Sequence, residues 1–246
     1  ANKAIAAAAS VADRDCELFA KTELGLLEVT RGEFGKGKEL LRGVQEASHD
    51  ISHGGLNTEI YFQLGRAIFH LEDQEQGIKL IEKAIEAATF TGTRNRFFFP
   101  YAINEMEYLA YLYAWLGQGN LARSLLDEAT KIQFDGNFGK LYAFLAKALL
   151  AARESPPDWR AVEQHVENGK RLADDAGFRP GLAEIHLRHA EILHKKGDLD
   201  TAREQLGQAT TLFGEMEMTW WAEQAEALLG RIESGAPFKG FAPYAE

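Results

Sequence analysis

A two-helix pattern recurs along this chain and constrains its fold more than any other feature. Its clearest copy spans residues 181–214, where apolar residues recur at the three-and-four spacing of a helix face. Gly197 predicts the end of the first helix, because glycine tolerates a left-handed backbone, and Asp198 can cap the second helix. Ala202 and Ala209 are small enough to let the two helix axes approach closely. The copy therefore predicts a packed helix pair joined by a tight turn.

A large residue followed by a small one marks the first helix of every copy. These large residues are Leu24, Leu64, Leu109, Leu145 and His189. Successive positions are 40, 45, 36 and 44 residues apart. A small, a large and another small residue follow in the second helix, and the whole pattern resembles the tetratricopeptide repeat. Because the standard period of that family is about 34 residues, this chain needs longer helices or longer turns.

The distribution of proline and of apolar residues favours an all-helical chain. None of the six prolines interrupts an apolar helical period, and no segment shows strand alternation bounded by hairpin turns. We therefore predict an all-α fold. The resemblance to tetratricopeptide repeats implies a right-handed α-solenoid of stacked helix pairs with long, irregular repeats.

The same pattern predicts the domain organisation. We expect one superhelical domain over residues 1–232 and a flexible tail over residues 233–246. The domain comprises a half-repeat at 2–12, helix pairs at 15–48, 56–90, 100–132, 138–176 and 180–213, and a terminal helix at 217–232. Because the half-repeat has no preceding mate, we expect the chain to be cut from a longer array with an output domain upstream.

Composition narrows the classes of partner. The formal net charge of −10 would repel a phosphate backbone, and no run of Lys or Arg is long enough to offset it, so we expect no nucleic-acid binding. The longest apolar stretches, residues 4–12 and 108–116, are shorter than the roughly 18 residues of a membrane helix, so we expect no membrane partner. The only cysteine, Cys16, fits a reducing cytoplasm, and we expect its side chain to be buried.

Residues 32–38, GEFGKGK, satisfy the G-x-x-x-x-G-K spacing of a phosphate-binding loop. Such a loop needs a hydroxyl for magnesium at the next position, where Glu39 would instead repel phosphate. Gly32 and Gly37 also fall where the repeat needs a turn and a close helix contact. We interpret the motif as structural. A nucleotide-binding enzyme is the less favoured alternative, and it requires a strand at residues 24–30.

Two histidine pairs have spacings compatible with metal binding. His49 and His53 are four residues apart, but they lie beside a Gly-Gly turn with no Glu placed for catalysis. His186 and His189 occupy core-facing positions of the clearest repeat, where hydrogen-bonded and partly buried side chains are expected. The sequence therefore predicts no metal, no cofactor and no catalytic residue.

First-helix side chains next to the packing face are candidates for partner binding, since in tetratricopeptide-like repeats such residues line a concave groove. By register these candidates are Phe62, Arg66, Phe69, Tyr108, Tyr111, Trp115, Phe144, Lys147 and Arg188. Aromatic side chains interspersed with Arg and Lys suit an extended peptide with apolar anchors and a carboxylate. The alternative is that these aromatics pack in the core. Phe238, Phe241 and Tyr244 of the tail are candidates to dock in the groove, from the same chain or a second copy.

The repeats are also similar to the C-terminal helical arrays of bacterial signalling ATPases and cyclases, and of maltose-regulon-type activators. The segments that carry this similarity include TELGLLEVTRGEF, INEMEYLAYLYAWLGQGNLARSLLDEA and HLRHAEILHKKGDLDTAREQLGQA. The similarity implies a non-catalytic regulatory module of a cytoplasmic signalling protein, which binds a protein or peptide partner and is compatible with a homodimer. An alternative from a different functional class is a sensor domain that closes on a small molecule or peptide.

Overall fold

The computed structural model describes residues 14–47, 54–94, 99–132 and 139–241 of the chain, and all regular secondary structure of these residues is helical. The helices are α1 (Arg14–Arg31), α2 (Phe34–Ala47), α3 (Gly54–Leu71), α4 (Gln74–Arg94), α5 (Phe99–Trp115), α6 (Gly119–Lys131), α7 (Lys140–Ala152), α8 (Trp159–Asp175), α9 (Arg179–Lys196), α10 (Leu199–Glu215) and α11 (Thr219–Glu233). Helices pack on their sequence neighbours, α1 on α2, α3 on α4, α7 on α8 and α9 on α10. This arrangement confirms the predicted all-α fold of tetratricopeptide-like helix pairs. The predicted half-repeat at 2–12 lies outside the described residues.

The chain divides into two compact units, residues 1–105 and residues 106–246. In the first unit, α3 packs on α4 and also contacts α1 and α2. A Cβ atom on Gly77 would lie only 2.7 Å from the carbonyl oxygen of Gly65, so the backbones of α3 and α4 touch at this point. The side chain of Ile81 is fully buried against Gly65. Small residues therefore set the distance between the two helices.

The second unit packs its helices in the same manner. Its α9 packs against α7, α8, α10 and α11. Ala190 on α9 and both Ala202 and Ala209 on α10 are completely buried, as their small size predicts. Phe213 stacks on Trp221 with ring centroids 5.9 Å apart, which joins α10 to α11.

Local sequence explains where the helices of the second unit begin and end. Gly197 ends α9 in the left-handed conformation, with a φ of 84°, as predicted. Asp198 takes the N-cap position of α10, but its side chain makes no capping hydrogen bond. Asp158 does cap α8, since its carboxylate accepts a hydrogen bond from the backbone N–H of Ala161 at 2.9 Å.

Residues 234–241, the described part of the C-terminal segment, lie against the second unit. Helix α11 ends at Glu233, and the chain then packs back on the second unit. Phe241 is buried, and the guanidinium of Arg153 lies 4.8 Å from its ring centroid. Burial of an aromatic ring is favourable, which gives this segment a reason to pack. Tyr244 lies outside the described residues.

Two further predictions can be compared with the described helices. Cys16 is exposed rather than buried. It lies two residues before Leu18, which belongs to the buried stripe of α1, so Cys16 is on the opposite side of that helix. No described helix combines the length and the apolar character that a membrane-crossing helix needs.

Candidate partner-binding surface

One of the first-helix candidates in the first unit, Arg66, belongs to a row of hydrogen-bonded polar side chains along α3. Arg66 donates from Nη1 to Oε1 of Gln63 at 3.0 Å, and Gln63 donates from Nε2 to Oε1 of Glu59 at 2.7 Å. These residues are three and four apart, so they follow one side of the helix. The Arg66 guanidinium also lies 5.8 Å from the ring centroid of Phe62. Arg66 is therefore engaged in contacts within the protein.

Burial separates accessible candidates from inaccessible ones in this unit. Phe62 is half-buried, whereas Arg66 is 8% exposed and Phe69 is 3% exposed. Phe69 packs edge-on against His70, with ring centroids 5.2 Å apart. Of these three predicted contacts, Phe62 is the one that can reach a partner without a change in packing.

An exposed stripe on α1 combines apolar and acidic side chains. Phe19, Glu23 and Leu27 are four residues apart, so they lie on one side of α1, and Phe19 and Leu27 are 47% and 48% exposed. Helix α1 packs against α3, and the charge of Glu23 acts on the carboxyl of Glu59. We call the set Phe19, Glu23, Leu27, Glu59 and Phe62 the α1–α3 face. Sequence reasoning missed the α1 stripe, although its regular spacing was readable.

Two buried carboxyl groups of this region, those of Glu59 and Glu105, resist ionisation. Burial raises the pKa of Glu59 and the charge of Glu23 raises it further, whereas the hydrogen bond from Gln63 and the charge of Arg66 lower it. Burial also raises the pKa of Glu105 well above its ordinary value, and the charge of Glu59 adds to the effect. Neither carboxyl oxygen of Glu105 has a hydrogen-bond partner in the part of the chain that the structure describes. A cation placed near Glu59 would favour the ionised carboxylates.

Four of the predicted groove residues lie in the core of the second unit. Tyr108, Tyr111, Trp115 and Arg188 are each at most 2% exposed. Arg188 donates from Nε to the Tyr111 hydroxyl at 2.7 Å, and its Cζ lies 3.9 Å from the ring centroid of Trp115. Tyr111 in turn donates to Glu184 at 3.0 Å. The structure places these four side chains in a packed core, which was the alternative interpretation, and does not place them along an open groove.

The two remaining candidates, Phe144 and Lys147 on α7, are half-buried. Phe144 packs against His165 of α8, with ring centroids 6.4 Å apart. Lys147 acts on Glu107 of α5, where burial raises the pKa to about 7 and the charges of Lys147 and Lys140 oppose this rise. Sequence reasoning missed Glu107, since the groups that act on it lie more than 30 residues away along the chain.

Residues 32–38 form a helix junction and not a phosphate-binding loop. Residues 24–30, which a nucleotide-binding enzyme would need as a strand, lie within α1. Gly32 adopts a φ of 86° at the end of α1, a conformation that favours glycine. A Cβ atom on Gly37 would lie 2.6 Å from a methyl group of Val29, so α1 and α2 approach closely there. Both glycines therefore have the structural roles that the repeat register predicts.

The buried histidines of the second unit share one hydrogen-bond partner. The Nδ1 atoms of His186 and His189 lie 2.8 and 3.3 Å from Oε1 of Gln205, and burial lowers the pKa of both. Within the described ranges, no group of three His, Cys, Asp or Glu side chains is arranged to hold a metal ion. The other pair, His49 and His53, lies outside these ranges.

Residues 58–89 match the family model of the tetratricopeptide repeat. The match identifies one tetratricopeptide-like helix pair, formed by α3 and α4. The match covers most of α3 and α4, including the close contact between Gly65 and Gly77, and it includes Glu59 and Phe62 of the α1–α3 face. No curated protein matches the chain. Tetratricopeptide repeats generally mediate protein–protein interaction, and their helical fold is typically non-catalytic.

Proposed function

We propose that this chain is a non-catalytic regulatory module that binds a protein or peptide partner, and that the α1–α3 face is its contact surface. The observation that carries the proposal is the match of residues 58–89 to a repeat that generally serves protein interaction. On the first helix of that repeat, Phe62 is half-buried, and the exposed Phe19 and Leu27 lie on the neighbouring α1. Accessible apolar side chains next to charged ones are typical of interaction surfaces.

The charges of this face favour a partner with apolar and basic side chains. Glu23 is exposed, and burial makes the ionised form of Glu59 costly although Gln63 and Arg66 offset part of that cost, so a cation from a partner would stabilise it further. Arg66 is paired with Gln63 and largely buried, so it is poorly placed to take up the partner carboxylate expected from the sequence. A Lys or Arg beside one or two large apolar residues is the partner motif that fits this chemistry.

The similarity of the repeats to the arrays of bacterial signalling ATPases, cyclases and activators supports a regulatory role. In that role the module acts in the cytoplasm, and partner binding tunes an attached output domain. A homodimer of this chain would present two copies of the contact surface, one on each protomer.

Affinity capture with matched variants tests the proposal. The double variant Phe19→Ala/Phe62→Ala removes apolar area from the α1–α3 face, while Leu121→Ala removes a leucine that is 50% exposed on α6. Each variant, with the wild-type chain, is used as bait in an extract of the native cell, and bound proteins are quantified by mass spectrometry. We expect the double variant to lose at least one partner that both wild type and Leu121→Ala retain. Equal capture by all three baits would contradict the proposed surface.

A further inference from the structure

The second unit contains a cavity of about 500 Å³ that the interaction surface does not use. Helix α9 contributes Glu191 and His194, helix α11 contributes Leu228 and Arg231, and residues 236–240 close the remaining side. Cavities of this size are typical of small-molecule sites, which combine apolar walls with a few polar groups. Residues 236–240 of the C-terminal segment therefore form one wall of this partly open cavity.

Specific contacts hold that wall in place. Nε2 of His194 lies 3.1 Å from the carbonyl oxygen of Ala236, and the His194 ring packs edge-on against Phe238 with centroids 5.7 Å apart. Phe238 packs in turn against Phe241, which is buried beside Arg153. The cavity is therefore a built feature of the fold, with an ordered aromatic wall.

The polar lining carries both signs of charge. Glu191 accepts a hydrogen bond at Oε1 from Nη1 of Arg188 at 2.6 Å, and the side chain of Trp115 and the charge of Arg231 also act on its carboxyl group. The side chain of Glu191 is only 13% exposed, so this carboxyl group is screened from bulk solvent. Arg231 and Lys239 are exposed residues of the same lining and provide cations towards its mouth. Burial raises the pKa of Glu191, and a cationic group of a ligand would favour its ionised form.

Besides its charged groups, the cavity has an apolar lining, which suits an apolar side chain of a ligand. Leu228 is 3% exposed, and Ala227, Pro237 and Phe238 are further apolar residues of the lining. From these groups together we propose that the cavity binds a small zwitterion with an apolar side chain, of the class of a free amino acid or a dipeptide. The ammonium of the ligand donates to Glu191, its carboxylate meets Arg231 and Lys239, and its side chain packs on Leu228 and Phe238. This site is separate from the α1–α3 face, so either can fail without the other.

Isothermal titration calorimetry of the whole chain tests this site with L-leucine, L-phenylalanine and L-leucyl-L-leucine as probes. We expect saturable binding of at least one probe. Analogues that lack one charged group, 4-methylpentanoate without the ammonium and 3-methylbutylamine without the carboxylate, should each bind roughly tenfold or more weakly than leucine. Absence of saturable binding by all three probes would overturn the proposal, as would equal binding of leucine and both analogues.

Variants of the lining provide the second arm of the test. Glu191→Gln should weaken the best probe roughly tenfold or more, while Glu223→Gln on the exposed side of α11 should leave its affinity unchanged. Because Glu191 also pairs with Arg188, the variant Ala227→Trp serves as an independent check. It fills the cavity from a position that is exposed and leaves the buried ion pair intact. Unchanged affinity in a folded Ala227→Trp protein would overturn the proposal.

Discussion

The guanidinium of Arg188 lies over the indole of Trp115, with Cζ 3.9 Å from the ring centroid and both side chains completely buried. Arg188 also donates to Tyr111 and to Glu191, so a single buried cation joins α5 to α9. A cation over an aromatic face is attractive, and the attraction grows when water is excluded. Residues whose types suit a peptide-binding groove therefore satisfy one another within the core.

Replacement of Arg188 tests the importance of this buried cation. Arg188→Ala leaves the Glu191 carboxylate without its charge partner, and we expect the free energy of unfolding to fall by about 3–5 kcal/mol. Arg203→Ala is the matched control, because Arg203 is an exposed arginine that also pairs three residues away, with Asp200 at 2.6 Å. We expect the control to cost about 1 kcal/mol or less in urea denaturation. Similar losses for the two variants would contradict the structural role of Arg188.

Replacement by alanine should lower the stability of the protein at one helical glycine and raise it at another. In Gly77→Ala the new Cβ atom would lie 2.7 Å from the backbone of α3, and the strain should cost about 1–3 kcal/mol. Gly43 is exposed within α2 with nothing within 4 Å of a new Cβ atom, so Gly43→Ala should stabilise by up to about 1 kcal/mol. Thermal or urea unfolding of both variants checks the signs. A Gly77→Ala protein as stable as Gly43→Ala would mean that the α3–α4 contact is looser than described.

Two leucines of α3 provide a test of which part of this helix is buried. Leu64 is 2% exposed, whereas Leu71 is 43% exposed. Leu64→Ala should cost about 2–5 kcal/mol through lost burial and a residual cavity. Leu71→Ala should cost about 1 kcal/mol or less, because Leu71 is the last residue of α3 and much of its surface is already exposed to water in the folded state. Equal costs in urea denaturation would contradict the difference in burial between Leu64 and Leu71.

The carboxyl of Glu107 should make stability depend on pH. Burial raises its pKa to about 7 from an ordinary value of 4.5, so the folded chain holds this proton more tightly than the unfolded chain does. The stabilisation from the proton is complete below about pH 4.5 and is lost as the pH rises through 7, a difference of about 3 kcal/mol. Glu107→Gln should remove this dependence. We expect the wild type to lose stability relative to Glu107→Gln between about pH 4 and pH 8 in urea denaturation. Parallel curves for the two proteins would contradict the assignment.

Small residues at close helix contacts made the fold predictable from the sequence. Gly65, Gly77 and Ala202 occur at positions that require small side chains, and local spacing is enough to identify them. The burial of Tyr111 was not predictable in this way. Its polar partners Glu184 and Arg188 lie 73 and 77 residues away along the chain, and helical periodicity carries no information on such pairs.

The candidate site shows the same division between local and long-range information. Phe62 was identified from the repeat register and remains accessible. The stripe of Phe19, Glu23 and Leu27 follows a simple four-residue spacing and could have been read from the sequence. The electrostatic effect of Glu23 on Glu59 depends on the packing of α1 against α3, so only the folded chain reveals it.

Site-specific photo-crosslinking in the native cell tests the central claim, that the α1–α3 face contacts a partner protein. A photoreactive phenylalanine analogue replaces Phe62 in one protein and the exposed Lys79 of α4 in the control. The account predicts a discrete crosslinked partner from position 62 that is absent from position 79. Crosslinks from position 79 alone, or from neither position, would contradict it.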